Sequence, residues 1–138
     1  MATIEYRTDA DLSVDEFQSL LRRSTLGDRR PIEDLPRLQG MLDHSNLVIT
    51  AWKGGQLVGI ARSMTDFHFA CYLSDLAVDQ AFQRQGIGRR LQQITQEKLG
   101  PQCSLILLSA PDARGYYPKL GYESSSRCWI LPSGRMLE

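Results

Sequence analysis

Between Val78 and Leu91 the chain reads Val-Asp-Gln-Ala-Phe-Gln-Arg-Gln-Gly-Ile-Gly-Arg-Arg-Leu, so Gly86 and Gly88 are flanked by Arg84, Arg89 and Arg90. A β-rich run precedes this stretch, and Ile87, Leu91 and Ile94 follow at helical spacing, which predicts a strand, a loop and the start of a helix. The first N–H groups of a helix have no partner inside it, and the helix dipole adds positive potential there. Without bulky side chains at two positions, those groups are free to converge on an anion. Three arginines beside them suit a diphosphate with a further phosphate nearby. On this stretch alone a second reading stays open, in which the glycines serve only a tight turn and close helix packing.

Two other glycine motifs are excluded. A dinucleotide fold needs a third Gly or Ala where Leu91 stands and an acid about 20 residues further on, where Leu107 and Leu108 lie instead. A P-loop needs Gly-Lys followed by Ser or Thr, but Gly88 is followed by Arg89 and Arg90.

The elements that must position this loop follow from local pattern. Ala2 to Arg7 predicts a strand. Ser13 and Glu16 have capping-box spacing, and Val14, Phe17, Leu20 and Leu21 then share a helix face that should end near Gly27. After the turn Asp28 to Pro31, Leu35, Leu38 and Leu42 predict a second helix ending near Ser45, with Pro36 tolerable only in its first turn. Leu47 to Trp52, a Lys53-Gly54-Gly55-Gln56 turn and Leu57 to Met64 predict a hairpin, and Phe69 to Val78 another strand. The glycine helix should end at Gly100-Pro101. Ser104 to Ser109 predicts a buried strand, Asp112 to Leu120 a short helix or helical turn, and Tyr122 to Leu131 a last strand region, with Pro132 to Glu138 a short strand or tail. This order predicts a mixed α/β sheet covered by helices on its faces.

The 138 residues are 42% hydrophobic and 23% charged, a globular composition, and no linker-like break divides them, so one domain over 1–138 is expected. Sixteen basic and sixteen acidic side chains give a formal charge of zero, so no bulk field draws the chain to nucleic acid or an anionic membrane. Apolar runs fall far short of the roughly 20 residues a membrane span needs. The first residues lack a secretory pattern, which sets the expectation of a cytoplasmic protein. Cys71, Cys103 and Cys128 form no zinc or disulfide spacing and are expected as reduced thiols, two or three of them in the core. No metal is expected.

Gln83-Arg84-Gln85-Gly86-Ile87-Gly88 resembles the Q/R-x-x-G-x-G/A signature of the GNAT superfamily of acetyl-CoA-dependent N-acetyltransferases, placed after a strand ending in Leu76-Ala77-Val78. Tyr116-Tyr117-Pro118-Lys119-Leu120-Gly121-Tyr122 is similar to that family's Y-x-K-x-G-F/Y segment, and the element order agrees over nearly the whole chain. The resemblance implies a single-domain fold with a central twisted mixed sheet of about six to seven strands, about four helices and a splayed strand pair at the cofactor site. It also implies that backbone groups of Leu76, Ala77 and Val78 pair with the pantetheine arm. N–H groups from Arg84 through Gln85, Gly86, Ile87 and Gly88 to Arg89 would hold the pyrophosphate. The strands that part should be Phe69 to Val78 and Ser104 to Ser109. Relatives often carry Asn where Ala110 stands, which removes one cofactor contact.

Acetyl transfer to an amine needs a deprotonated amine, a stabilised oxyanion and a proton for the thiolate. A phenol, with an ordinary pKa near 10, stays protonated at neutral pH and can supply that proton. The resemblance assigns this to Tyr117, whose alternative is an ordinary packed aromatic, and Tyr116 is either the acid or a core residue. Pro118 biases Tyr117 away from helical geometry. Asp75 is the candidate base, directly or through water, and a strand-end acid bonded to backbone or arginine is the equal alternative. The oxyanion donor is expected near the Val78 N–H. Nothing activates Cys71 or Cys103, since His44 and His68 fall in polar turns, so direct attack in a ternary complex is expected over an acyl-enzyme. Acceptor contacts are expected from Gly27 to Pro31 and Thr65 to Phe69, with Tyr72 and Trp129 as aromatic walls.

The stretch from Ala61-Arg62 through Asp66 to Asp75 is similar to plastid and cyanobacterial arylalkylamine N-acetyltransferases, which points to a small primary amine. A non-catalytic acyl-CoA-binding module and a protein N-terminal or lysine acetyltransferase are the alternatives; a nucleic-acid-binding domain is disfavoured by the zero net charge. A sheet edge near the C-terminus, covered by a second copy, predicts a homodimer.

Overall fold

The computed structural model describes residues 3–138. Two compact units form, Met1–Leu108 and Ser109–Glu138. The first holds all regular strands and helices.

Strand β1 (Glu5–Arg7) leads to helix α1 (Val14–Arg23). Ser13 and Glu16 make the expected capping box, in which the Ser13 hydroxyl accepts from the Glu16 N–H at 3.1 Å and the Glu16 carboxylate accepts from the Ser13 N–H. Such a cap contributes about 1 kcal/mol. The helix stops earlier than Gly27 because Ser24 turns extended and bonds back to Leu21, and a tight turn (Thr25–Arg29) follows. Gly27 lies against the end of α1: a Cβ there would sit 2.4 Å from the Leu21 carbonyl oxygen.

Helix α2 (Leu35–Asp43) carries Pro36 in its first turn, as expected, and is capped by Asp34. Strands β2 (Leu47–Lys53) and β3 (Gln56–Thr65) form the predicted hairpin, followed by β4 (Ala70–Val78). Helix α3 (Ile87–Glu97) and β5 (Ser104–Leu107) complete the unit. The sheet order is β1-β2-β3-β4-β5, antiparallel except for the parallel β4–β5 pair that α3 connects.

Two apolar layers cover the sheet. Ile87, Leu91 and Ile94 of α3 pack with Ile49, Ala61, Cys71 and Leu73 on one face. Phe17, Leu20 and Leu21 of α1 and Leu38 of α2 pack with Trp52, Leu57, Ile60 and Ala77 on the other. Cys71 lies in the first layer, Cys103 packs against it half-buried, and Cys128 is exposed. No helix among the described residues is long and apolar enough to cross a membrane.

The second unit differs from the sequence expectation. Of the short helix or helical turn expected over Asp112 to Leu120, the structure forms two short helical turns (Pro111–Ala113 and Pro118–Leu120). Residues 122–131 form no strand, nor do 132–138, so the described sheet has five strands rather than six or seven and three α-helices rather than four. A strand exists only within a ladder to a neighbouring strand, and among the described residues no ladder includes either segment. Trp129, expected as an aromatic wall, is 91% exposed.

Candidate active site

The site begins with an irregularity in β4. Arg62 of β3 pairs with Asp75, but the next residue, Ser63, pairs with Leu73, so Ser74 is an extra residue bulged out of the ladder. The bulge swaps the faces. Cys71 and Leu73 pack toward α3 before it, whereas Leu76 and Val78 do so after it and Ala77 turns to the opposite layer. Pairing to β5 ends at the same place: Leu73↔Leu107 is the last parallel partner, while β4 continues to Val78. Among the described residues no strand pairs with that edge of β4 beyond Leu73.

Alternation decides which groups face that edge. The Asp79 N–H donates to the Val58 carbonyl at 2.9 Å, so Asp79, Ala77 and Asp75 direct their backbone groups to β3. Leu76 and Val78 therefore turn theirs to the open side, as a strand-like ligand requires. Ala77, expected with them, has its amide and carbonyl committed to Ile60 instead. The Val78 carbonyl accepts from the Gln83 side-chain amide at 3.2 Å.

Beyond Val78, Asp79 caps a short turn (Gln80–Phe82) and receives Arg23 from α1, which also bonds the Leu57 carbonyl at 3.0 Å. The chain then passes through two left-handed residues, Arg84 (φ 64°) and Gly86 (φ 81°). Such alternation curls successive N–H groups into an anion-binding concavity. Gly86 is the N-cap of α3 and no side chain caps that helix, while Ile87, Gly88 and Arg89 form its first turn. A Cβ built on Gly86 would meet no protein atom within 4 Å, so the space in front of the loop is open. Ile87 is buried and anchors the turn to the core, whereas Gln83, Arg84, Gln85 and Arg89 are exposed. Arg90 is held by Glu97 at 3.2 Å; no ion pair engages Arg84 or Arg89 among the described residues.

Asp75 is fully buried and sits between two guanidinium groups. Arg30 Nε donates to its Oδ1 at 2.6 Å and Arg62 Nε to its Oδ2 at 2.5 Å. Both oxygens accept from arginines, the bonding that the alternative to a base expects. Arg30, Arg62 and Ser74 were missed as functional candidates. The available signal was Arg62 itself, a lone cation in the apolar run Leu57 to Met64, which demands a buried counter-charge.

Within the second unit, Tyr117 adopts helical angles (φ −68°, ψ −38°) despite Pro118, because its carbonyl accepts from both Leu120 and Tyr122. Its ring lies edge-on to Tyr116 and Tyr122, at 5.1 and 5.5 Å between centroids. Burial first, and Tyr116 second, push its phenol above the usual value of 10.0, so it is protonated at neutral pH. Burial likewise raises the Cys71 thiol, which keeps it from acting as a nucleophile. His44 and His68 lie in turns as expected, each bonded to a backbone carbonyl.

The family model described as an acetyltransferase (GNAT) domain matches residues 32–128. A curated relative, GCN5-related N-acetyltransferase 1, chloroplastic, of Arabidopsis thaliana, is 28% identical over 124 residues; the match covers 86% of this chain and 60% of that protein. Among solved structures, an aminoglycoside N-acetyltransferase in complex with CoA superposes with a TM-score of 0.72 at 16% identity, covering 98% of this chain and 97% of its own. A GNAT family acetyltransferase from Streptococcus pneumoniae TIGR4 gives 0.69 at 22% identity, over 94% and 98%. At these identities the structural likeness concerns the fold.

Proposed function

The chain belongs to the acetyltransferase (GNAT) domain family, and from that premise we propose that residues 1–138 work as one domain that moves an acetyl group from acetyl-CoA to a primary amine of a small molecule. One observation carries the reading: the unpaired edge at Leu76 and Val78 is followed, after the Gln80–Phe82 turn and the glycine loop, by the uncapped start of α3, with open space at the Gly86 Cβ position. A pantetheine arm carries amides that can continue a strand, and a diphosphate follows it at the length of a short loop, so the two features fit one ligand in sequence.

In this reading the Leu76 and Val78 backbone groups orient the arm, and amides from Arg84 to Arg89 hold the diphosphate with Arg84 and Arg89 adding charge. Bound acetyl-CoA supplies the activated acyl group. The neutral amine attacks the thioester carbon, the Val78 N–H stabilises the oxygen that gains charge, and the carbon–sulfur bond breaks. Tyr117 then donates its proton to the departing sulfur and regains one from water, while the proton lost by the nitrogen goes to water. Asp75 takes no proton here, because two guanidiniums occupy it.

A small primary amine is supported by the similarity of Ala61 to Asp75 to arylalkylamine acetyltransferases. The test is release of free thiol from acetyl-CoA against a panel of arylalkylamines, polyamines, aminoglycosides and peptides with free N-termini or lysines. Turnover confined to small amines supports the proposal, and turnover confined to peptides replaces the acceptor class. Binding of CoA without thiol release from any amine would leave a non-catalytic acyl-CoA module.

A further inference from the structure

A bulge leaves the carbonyl of its extra residue outside the ladder, and in a half-buried position that carbonyl needs a donor. At Ser74 the donor comes from far along the chain. Arg30 Nη2 reaches the Ser74 carbonyl at 2.7 Å while Nε of the same guanidinium reaches Asp75 Oδ1 at 2.6 Å, and Nη1 bonds the Arg29 carbonyl at 2.8 Å. One planar group thus grips two consecutive residues of β4 at the point where β5 departs.

The second arginine does a different job. Arg62 is 3% exposed, and it holds Asp75 Oδ2 and the Ser74 hydroxyl from within the sheet, with further bonds to the Met41 carbonyl and the Ser45 hydroxyl at the end of α2. It fixes the bulge without help from Arg30. What Arg30 alone does is tie the segment between α1 and α2 to β4. The other polar ties of that segment run to α1, through Gln18 to the Ile32 carbonyl at 2.6 Å and an exposed Arg22–Glu33 pair.

We propose that Arg30 is a positioning residue for the acceptor side of the reaction, pinning residues 25–31 onto the bulged Ser74–Asp75 step so that the wall facing the amine is fixed beside the opening where the thioester lies. The proposal rests on the acetyl-transfer reading. Lysine cannot replace it fully, because an ammonium has no planar edge with which to bridge a carbonyl and a carboxylate at once.

The experiment compares wild type, Arg30→Ala and Arg30→Lys by hydrogen exchange of peptides over 24–31 and 74–78, by calorimetry with CoA, and by steady-state kinetics with the best amine of the panel. Loss of two charge-assisted bonds should speed exchange over 25–31 by about tenfold or more in Arg30→Ala. Exchange over 74–78 should change little because Arg62 remains. The amine KM should rise about tenfold, with kcat and CoA affinity within about threefold of wild type, and Arg30→Lys should recover part of the KM. Unchanged exchange over 25–31, or equal losses in kcat, KM and CoA affinity as general damage would give, overturns the proposal. Arg30→Lys keeps the charge beside Asp75 and serves if Arg30→Ala does not fold. A wild type that binds CoA but acetylates nothing overturns the transfer reading instead, and the exchange data then still decide whether Arg30 is the anchor.

Discussion

Gly86 offers a perturbation whose folding cost and binding cost can be separated inside one molecule. Its φ is +81° and a Cβ there meets nothing within 4 Å, and Gly55, in the β2–β3 turn, has the same φ and the same empty surroundings. Placing an L side chain in the left-handed region costs about 1–2 kcal/mol at either position. Gly86→Leu and Gly55→Leu should therefore each lower the thermal midpoint by roughly 3–10 °C and do so alike. They should differ in ligand binding. A side chain on Gly86 fills the space before the α3 amides, so at least two N–H bonds to a charged phosphate are lost, each contributing about 1.5–3 kcal/mol. That sums to about 3–6 kcal/mol, or more than a hundredfold in the CoA dissociation constant. Calorimetry with CoA on the three proteins, each confirmed folded by circular dichroism, reads the difference. If Gly86→Leu binds CoA as tightly as Gly55→Leu, the diphosphate does not lie at the start of α3 and the reasoning fails.

Tyr117→Phe should lower kcat by roughly 10²–10⁴-fold with CoA affinity retained, and because the phenol is raised above 10.0 it should lose no proton below that pH, so the wild-type kcat profile should show no basic limb from it below about pH 10. Asp75→Asn leaves the buried Arg62 and the half-buried Arg30 guanidiniums uncompensated and should cost about 3–5 kcal/mol in a urea titration; full stability with abolished turnover would instead restore Asp75 as the base. Asp66, whose carboxylate accepts from the His68, Phe69 and Ala70 amides, is held down to about 2 from 3.8. A depressed folded value means its contribution is complete above pH 3.8 and lost as pH falls toward 2, so the stability gap between wild type and Asp66→Ala should be flat above about pH 4 and close below it.

Features that depend on a few neighbouring residues were legible in the sequence. The Ser13–Glu16 cap, the β2–β3 hairpin around Gly54-Gly55, and the span of α3 from its glycine loop to Gly100 need only local hydrogen bonds and one apolar face. The glycine loop at the start of α3 was also legible, since a left-handed turn into a helix needs only its own residues. Pairing across the fold was not legible. Asp75 finds Arg30 from 45 residues away and Arg62 from 13, and a carboxylate's role as base or anchor is set by which cations the fold brings to it. The bulge at Ser74, which turns Ala77 to the opposite layer, depends on register against β3, and nothing in the sequence from Ala70 to Val78 marks the extra residue. Residues 122–131 have a strand's composition without a strand's partner. Caps and helix faces are short-range and therefore written in order along the chain, whereas register and charge partners are chosen only when distant segments meet.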